Sequence, residues 1–358
     1  MRRGRARSWL ARLADPGLQA RAARLPLVRR LLRREGEAIF DLVSGFVQSQ
    51  MLRALVETGA IEAVLDAPAT AAEMAPRLGL PEERADLLLR AGVAMGLLSL
   101  RRGRFRATPR GAALTGVPGL GEMIRHHDIL YRDLADPVAF LRGETEPELA
   151  RFWPYVFVGG AGAEAAARYS RLMADSQALV AEETLAQVDL SGIDCLMDVG
   201  GGTGAFLSRA LDARPGMRGR LVDLPAVLEA VPEDLARRVE RHPASFRDGP
   251  LPGGADAVSL VRVLYDHDDA TVSRLLAKVR AALPPGGRVI VSEPMTGGAR
   301  PHRAGDVYFA VYCAAMGTGR ARSAERIGEM LSAAGFSAIR RHRPRRAFVT
   351  SVVEARRD

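Results

Sequence analysis

Four glycines within five positions, Gly200, Gly201, Gly202 and Gly204, follow an apolar run that carries one acid, Asp198. An amphipathic stretch, Phe206 to Leu211, comes next, and a second apolar run ends in Asp223. The pattern predicts strand, glycine turn, helix and strand, closed by an acid. Such a unit holds an adenosine-containing cofactor at the carboxyl ends of parallel strands. Glycine lets the backbone approach a ligand with no Cβ in the way. Asp223 at the end of the second strand can accept hydrogen bonds from both ribose hydroxyls.

Two cofactor classes compete for this unit. Gly200-x-Gly202-x-x-Ala205 satisfies the loose dinucleotide fingerprint, which would make the chain a nicotinamide-dependent oxidoreductase. Asp198, two residues before the first glycine, argues against it, because a carboxylate there would repel a pyrophosphate. The ammonium and sulfonium of S-adenosylmethionine tolerate or favour that acid, so this is the expected cofactor. A glycine turn with no ligand is the poorer reading, since four glycines cost backbone entropy for nothing.

The surrounding elements follow from periodicity. At 358 residues, about two domains are expected. In the second half, Ala255–Val261 reads as a central strand, Asp269–Ala282 as a helix and Arg288–Glu293 as a strand. Ser323–Ala334 is a helix, and Phe336–Arg341 and Ala347–Ala355 are strands closing as an antiparallel hairpin. Strands alternating with helices predict an α/β, Rossmann-like, doubly wound sheet.

In the first half, Gly36 to about Gly59 has helical spacing, and Ala60–Leu65 reads as a second short helix. Thr70 and Glu73 form a capping box opening a helix that ends near Gly79. A helix from Pro81 to Met95 and a hairpin through Arg106 follow, which makes a winged helix. The would-be recognition helix carries Glu82, Glu83 and Asp86 beside Arg84 and Arg90, so the basic face of a DNA reader is missing. Dimerisation, without nucleic acid, is its expected use, and a non-enzymatic winged-helix regulator is the alternative. The expected domains are a basic arm (1–35), the winged-helix dimerisation domain (36–118), a helical linker and substrate-lid region (119–188) and the Rossmann-like domain (189–358).

The net charge is +9, and residues 1–34 hold eleven arginines against one acid, Asp15. With leucines interleaved, that arm reads either as a solvated segment or as a basic amphipathic one lying on an anionic bilayer. No apolar run approaches the ~20 residues of a membrane span, and no signal-peptide pattern opens the chain. The expected location is cytoplasmic, with the arm as a candidate peripheral contact to the inner or intracytoplasmic membrane. Cys195 and Cys313 predict neither a disulfide framework nor a metal site.

The order DVGGGTG (198–204), VDLP (222–225), SFRDGPLPGGADAVSLVRVLYDHDD (245–269) and LPPGGRVIVSEP (283–294) resembles the plant-type S-adenosylmethionine-dependent O-methyltransferases. A fuller likeness, through MIRHHDILYRDLADPVAFLRGE and SEPMTGGARPHRAGDVYFA, is to the bacterial carotenoid branch of that family. The resemblance implies an N-terminal dimerisation domain in a homodimer and a C-terminal catalytic domain. It further implies methylation of the tertiary hydroxyl of an acyclic hydroxycarotenoid of the hydroxyneurosporene or demethylspheroidene type, in a phototrophic bacterium. Another small hydroxylated natural product is the alternative acceptor. By resemblance, Gly200, Gly201, Gly202 and Gly204 line the methionine and ribose side of the cofactor, and Asp223 and Leu224 hold ribose and adenine. Ser245 and Phe246 bracket adenine, with Ala244 where the family has an acid, and Met173 lies near the transferred methyl.

The family's general base is a histidine, but Tyr265 stands at that position, with His267 two residues on. A phenol with pKa ~10 is a poor base near neutrality, whereas an imidazole at ~6.5 is poised for the role. His267 is therefore the expected base, His127 the second candidate, and Tyr265 the group that orients the hydroxyl. A solvated histidine in an acidic turn, with a raised pKa, is the plainer reading of His267. Glu293 matches an acid that supports the base, and Ala321 replaces a second such acid. An apolar acceptor tunnel is expected from Met123, Ile129, Phe152, Trp153, Tyr308, Phe309, Tyr312 and Met316, although any one of these could simply be core.

Overall fold

The structure, a computed structural model of the chain, describes residues 10–11, 14–22, 24–152, 177–346 and 348–358. It divides into two compact units, residues 1–116 and 117–358.

In the first unit a helix spans Pro26–Glu57, preceded by a short one over Pro16–Ala22. The long helix starts ten residues before the expected Gly36. Pro26 sits at its first turn, where the missing N–H costs nothing, and the following Arg and Leu residues are good helix formers. The latter part of the arginine-rich arm is thus helical. Ile39, Phe40, Leu42, Val43 and Phe46 on this helix are each 61–69% exposed. The expected helix at 60–65 is a single 3₁₀ turn, Glu62–Val64. The capping box is present: Thr70 Oγ1 accepts from Glu73 N, and a Glu73 carboxylate oxygen accepts from Thr70 N. That helix, Ala71–Leu78, ends on a left-handed Gly79. Helix Glu82–Ala94 and the hairpin β1 (Leu98–Arg101) and β2 (Arg104–Ala107) complete the winged helix. Leu55, Ile61, Met74, Leu89 and Phe105 form its buried centre.

In the second unit seven strands form one sheet: β3 (Cys195–Val199), β4 (Arg218–Asp223), β5 (Val239–Pro243), β6 (Ala257–Val261), β7 (Arg288–Glu293), β8 (Phe336–Arg341) and β9 (Ser351–Arg357). The order is β5-β4-β3-β6-β7-β9-β8, parallel from β5 to β7 and antiparallel at β9 and β8. This is the expected doubly wound sheet with a closing hairpin, except that the last strand lies inside and β8 forms the edge. Every residue of β3 and β6 is buried, as befits central parallel strands covered on both faces. Two apolar clusters cover the faces, one around Val199, Val258 and Leu276, the other around Leu196, Phe206 and Leu221.

Strand order reverses between β3 and β6, where a parallel sheet opens a crevice at its carboxyl edge. The glycine turn after β3, Asp223 closing β4, the loop after β5, residues 262–267 after β6, and Glu293 closing β7 all meet that edge. Helices Leu120–Asp133, 177–185 and Ala310–Ala315 supply the walls beyond it.

Candidate active site

The glycine turn works as its composition predicts. Gly200, Gly202 and Gly204 have φ of 69°, 60° and 83°, in the left-handed region that side chains disfavour. A Cβ on Gly201 would stand 2.3 Å from Asp198 Oδ2, so that position must be glycine for steric reasons. Nothing lies within 4 Å of a Cβ placed on Gly202, which leaves open space above the turn. Asp198 is fully buried and accepts 2.6 Å from Ser259 Oγ, its register partner on β6. Its Oδ2 has no hydrogen-bond partner among the described residues. Burial and, secondarily, the charge of Asp223 raise its pKa to about 7.

Asp223 accepts from Gly202 N on Oδ2 (2.8 Å) and from Leu224 N on Oδ1 (2.7 Å). Both oxygens keep lone pairs for further donors. Burial raises this carboxyl too. A buried carboxyl with an unpartnered oxygen, Asp198, and a half-buried one, Asp223, fit a cationic ligand that also presents hydroxyl donors. They do not fit a pyrophosphate. S-adenosylmethionine meets that donor set.

Beyond the turn lies a cavity of about 220 Å³, open at its mouth. Met123, Leu179, Val180 and Phe309 supply apolar wall; His126, Arg262, Tyr265, Tyr308 and Tyr312 supply polar atoms. Tyr308 and Tyr312 project one turn apart from a π-helical stretch, Arg303–Phe309, that runs into helix Ala310–Ala315. Their rings stack with centroids 6.0 Å apart. His126 Nε2 lies 2.9 Å from Tyr312 Oη, and His127 Nε2 lies 2.7 Å from Tyr308 Oη.

The O-methyltransferase domain family matches residues 131–337, and the O-methyltransferase dimerisation domain family matches residues 40–116. The chain is 57% identical to the demethylspheroidene O-methyltransferase of Cereibacter sphaeroides, covering 93% of this chain and 90% of that one. It is 55% identical to the enzyme of the same name from Rhodobacter capsulatus, covering 93% and 85%. The chain belongs to the O-methyltransferase family. Among solved structures, the calicheamicin-biosynthesis methyltransferase CalO1 in its S-adenosylhomocysteine-bound form superposes with a TM-score of 0.77 at 26% identity, covering 91% of this chain and 98% of that one. The chain is an S-adenosylmethionine-dependent O-methyltransferase, in keeping with the fit of its glycine turn.

The remaining expected site residues of this methyltransferase fall in different places. Glu293, at the end of β7, is buried and accepts from the backbone N–H groups of Val263 (2.9 Å), Leu264 (2.7 Å) and Tyr265 (3.4 Å). Burial raises its pKa to about 7. It holds the loop that presents Tyr265. Arg320 N donates to Tyr265 O from the other side, and Arg322 donates to Leu264 O and His267 O. The phenol of Tyr265 faces the cavity, 3.4 Å from Arg262 Nη2. Arg262 itself has φ of 57°, a strained conformation at the cavity wall.

His267 departs from both readings of it. It is 3% exposed, so it is not a solvated turn residue. Its Nδ1 lies 3.2 Å from Arg247 Nη2, and its ring packs edge-on against Phe246. Burial, with Arg247 adding to it, pushes its pKa down to about 4 rather than up. The cavity wall does not include it. Ser245 Oγ accepts from Arg247 N, and Lys278 Nζ donates to the carbonyls of Phe246 and Arg247, fixing the loop after β5. Ala244 packs against the sheet core at the acid's position. Met316 lies in a core cluster with Phe140 and Leu149, 1% exposed, and Ile129 packs against the same cluster, so neither lines the cavity. Met173 and Trp153 lie outside the described residues, as does the side chain of Phe152. Sequence reading passed over His126 and Arg262. The HH pair next to Asp128 was the available signal for the first; nothing local marks the second.

Proposed function

We propose that this methyltransferase forms a methyl ether on the tertiary hydroxyl of an acyclic hydroxycarotenoid of the demethylspheroidene type. The observation that carries the reading is the 57% identity, over 93% of the chain, to a demethylspheroidene O-methyltransferase. The cavity supports it. Its wall is dominated by apolar side chains and it stays open at the mouth, which suits one end of a polyene whose remainder projects outward.

When bound, S-adenosylmethionine supplies a methyl group on a cationic sulfur. The protein's task is to hold the acceptor oxygen in line and keep water out, and positioning of this kind is worth ~7–11 kcal/mol of barrier. Met123, Leu179, Val180 and Phe309 grip the chain by burial, while Tyr265, its loop pinned by Glu293, meets the hydroxyl end.

The protein is proposed to act as a homodimer. The dimerisation-family match and the row of exposed apolar residues from Ile39 to Phe46 support this, since such a row on a lone chain would leave a sizeable apolar patch in water. The arginine- and leucine-rich residues 1–34 are proposed to touch an anionic membrane surface, where the substrate resides; deleting them should weaken binding to anionic vesicles. Among the described residues, no helix is long and apolar enough to cross a membrane.

The test is incubation with methyl-labelled cofactor and, in parallel, a hydroxylated acyclic carotenoid and a small phenol. Label in a carotenoid methyl ether is expected. Label only in the phenol would overturn the substrate and leave the reaction class standing.

A further inference from the structure

The family's base position is occupied here by Tyr265, and His267 is not among the residues lining the cavity, so the reaction needs another destination for the hydroxyl proton. We propose that Tyr312 and His126 form that destination, a two-residue relay in the acceptor cavity. The inference rests on the reading of the cavity as the site of methyl transfer to a hydroxyl.

The geometry singles out this pair from the two Tyr–His pairs present. In the first, Tyr308 Oη lies 2.7 Å from His127 Nε2 and 3.7 Å from Met123 Sδ, and His127 is not among the residues lining the cavity. Burial lowers the pKa of His127, which disfavours its protonation. That pair is a brace that fixes Tyr308, whose stacked ring in turn fixes Tyr312. In the second pair both partners line the cavity, and His126 Nε2 stands 2.9 Å from Tyr312 Oη. With its proton on Nδ1, His126 accepts from Tyr312 through Nε2, and the phenol oxygen keeps lone pairs for a substrate hydroxyl. The charged and titratable groups whose fields reach Tyr312 are Tyr308, Arg262, Asp266 and Cys313. Burial and Tyr308 raise the Tyr312 phenol well above its ordinary value, so it passes a proton on without becoming a stable anion.

The balance is simple. The acceptor oxygen forms its bond to the methyl carbon while the carbon–sulfur pair stays with sulfur. The hydroxyl proton goes to Tyr312 Oη, and the proton of Tyr312 goes to His126 Nε2, leaving an imidazolium. A tertiary alcohol is barely acidic at the start. Its proton becomes acidic only as the oxygen takes on the positive charge of the arriving methyl, so a neutral imidazole suffices and no strong base is required.

The test uses the full chain with H126Q, Y312F and the double variant. General-base roles contribute ~10²–10⁴-fold, and a loss in kcat of that size is expected from each single variant, with KM and S-adenosylhomocysteine affinity unchanged. The double variant should be no slower than the worse single one, because a relay broken once is broken. The acid limb of the kcat–pH profile should disappear in H126Q. Independently of turnover, nitrogen NMR of the parent at neutral pH should show His126 Nε2 without a proton, and Y312F should shift that resonance. A protonated Nε2, additive losses, or an acid limb retained in H126Q would overturn the relay. If the parent methylates a phenol but not the carotenoid, the substrate reading falls, and the same variants read the relay on the phenol.

Discussion

Between Asp198 and Leu224 the groups at the cofactor turn belong to one strand-turn-helix-strand unit, and most of their contacts are made by backbone. At the acceptor cavity, His126 and Tyr312 are 186 residues apart in sequence and meet only through the packing of two helices. The first region is built from left-handed glycines and amide donors, whose chemistry does not depend on which side chains surround them. The second is built from aromatic and imidazole side chains whose roles are fixed by their neighbours. A fold shared with other methyltransferases can therefore keep one cofactor while the acceptor changes.

The largest expected effect follows from that contrast. In G201A the new Cβ would lie 2.3 Å from Asp198 Oδ2 and 2.6 Å from Leu221 Cδ1, and either backbone or strand must move. A loss of about 1–3 kcal/mol in stability is expected, with S-adenosylhomocysteine binding below detection. Denaturant melts and calorimetry check it. A variant that folds and binds as the parent does would break the comparison, because the turn would then be tolerant.

A smaller effect concerns protons. Asp198 and Glu293 both have native pKa values raised to about 7 from ordinary values of 3.8 and 4.5. The native state thus binds more protons than the unfolded state between about pH 4 and pH 7. Unfolding free energy should fall as pH rises through that window and level off above it. A bound cation favours ionised Asp198, so cofactor affinity should rise about tenfold from pH 6 to pH 8. In D198N that rise should vanish. An unchanged pH dependence in D198N would place the titrating group elsewhere.

The smallest effect is expected at His267. Its pKa near 4 leaves it neutral throughout the working range, and its ring contacts include Phe246 and Arg247. H267Q should keep kcat within about threefold, with a modest loss in cofactor affinity through Phe246. A hundredfold loss in kcat would return the proton acceptor to this residue and blur the division between the two regions.

Much of this was legible in the sequence where chemistry is local. The glycine turn, Asp223, the capping box of Thr70 and Glu73, and the alternation of strands and helices are short-range patterns. The start of the long helix at Pro26 was not, because arginine-rich sequence reads equally as solvated arm or helix surface until a partner face decides it. Strand β5 was not found as a strand from its pattern, since Val239–Pro243 is an edge strand with mostly exposed, polar residues and no apolar run. For His267, the expected base, the plainer reading was a solvated residue, because its neighbourhood in sequence is acidic. In the fold Asp266 and His267 are buried, with Arg322 donating to His267 O and Glu293 accepting from the N–H groups just before them, both residues contributed from other strands and loops. His126 could not be distinguished from His127 by position alone. In the fold it is His126, and not His127, that lines the cavity, beside Tyr312.

The most direct test of the account is calorimetric titration with S-adenosylhomocysteine on the parent and on D223A, side by side. Asp223 joins Gly202 and Leu224 through its two oxygens, so its loss removes the acceptor proposed for the ribose and leaves two amides unpaired. The account predicts micromolar binding by the parent and none by D223A. Equal binding by both, or none by the parent, would contradict it.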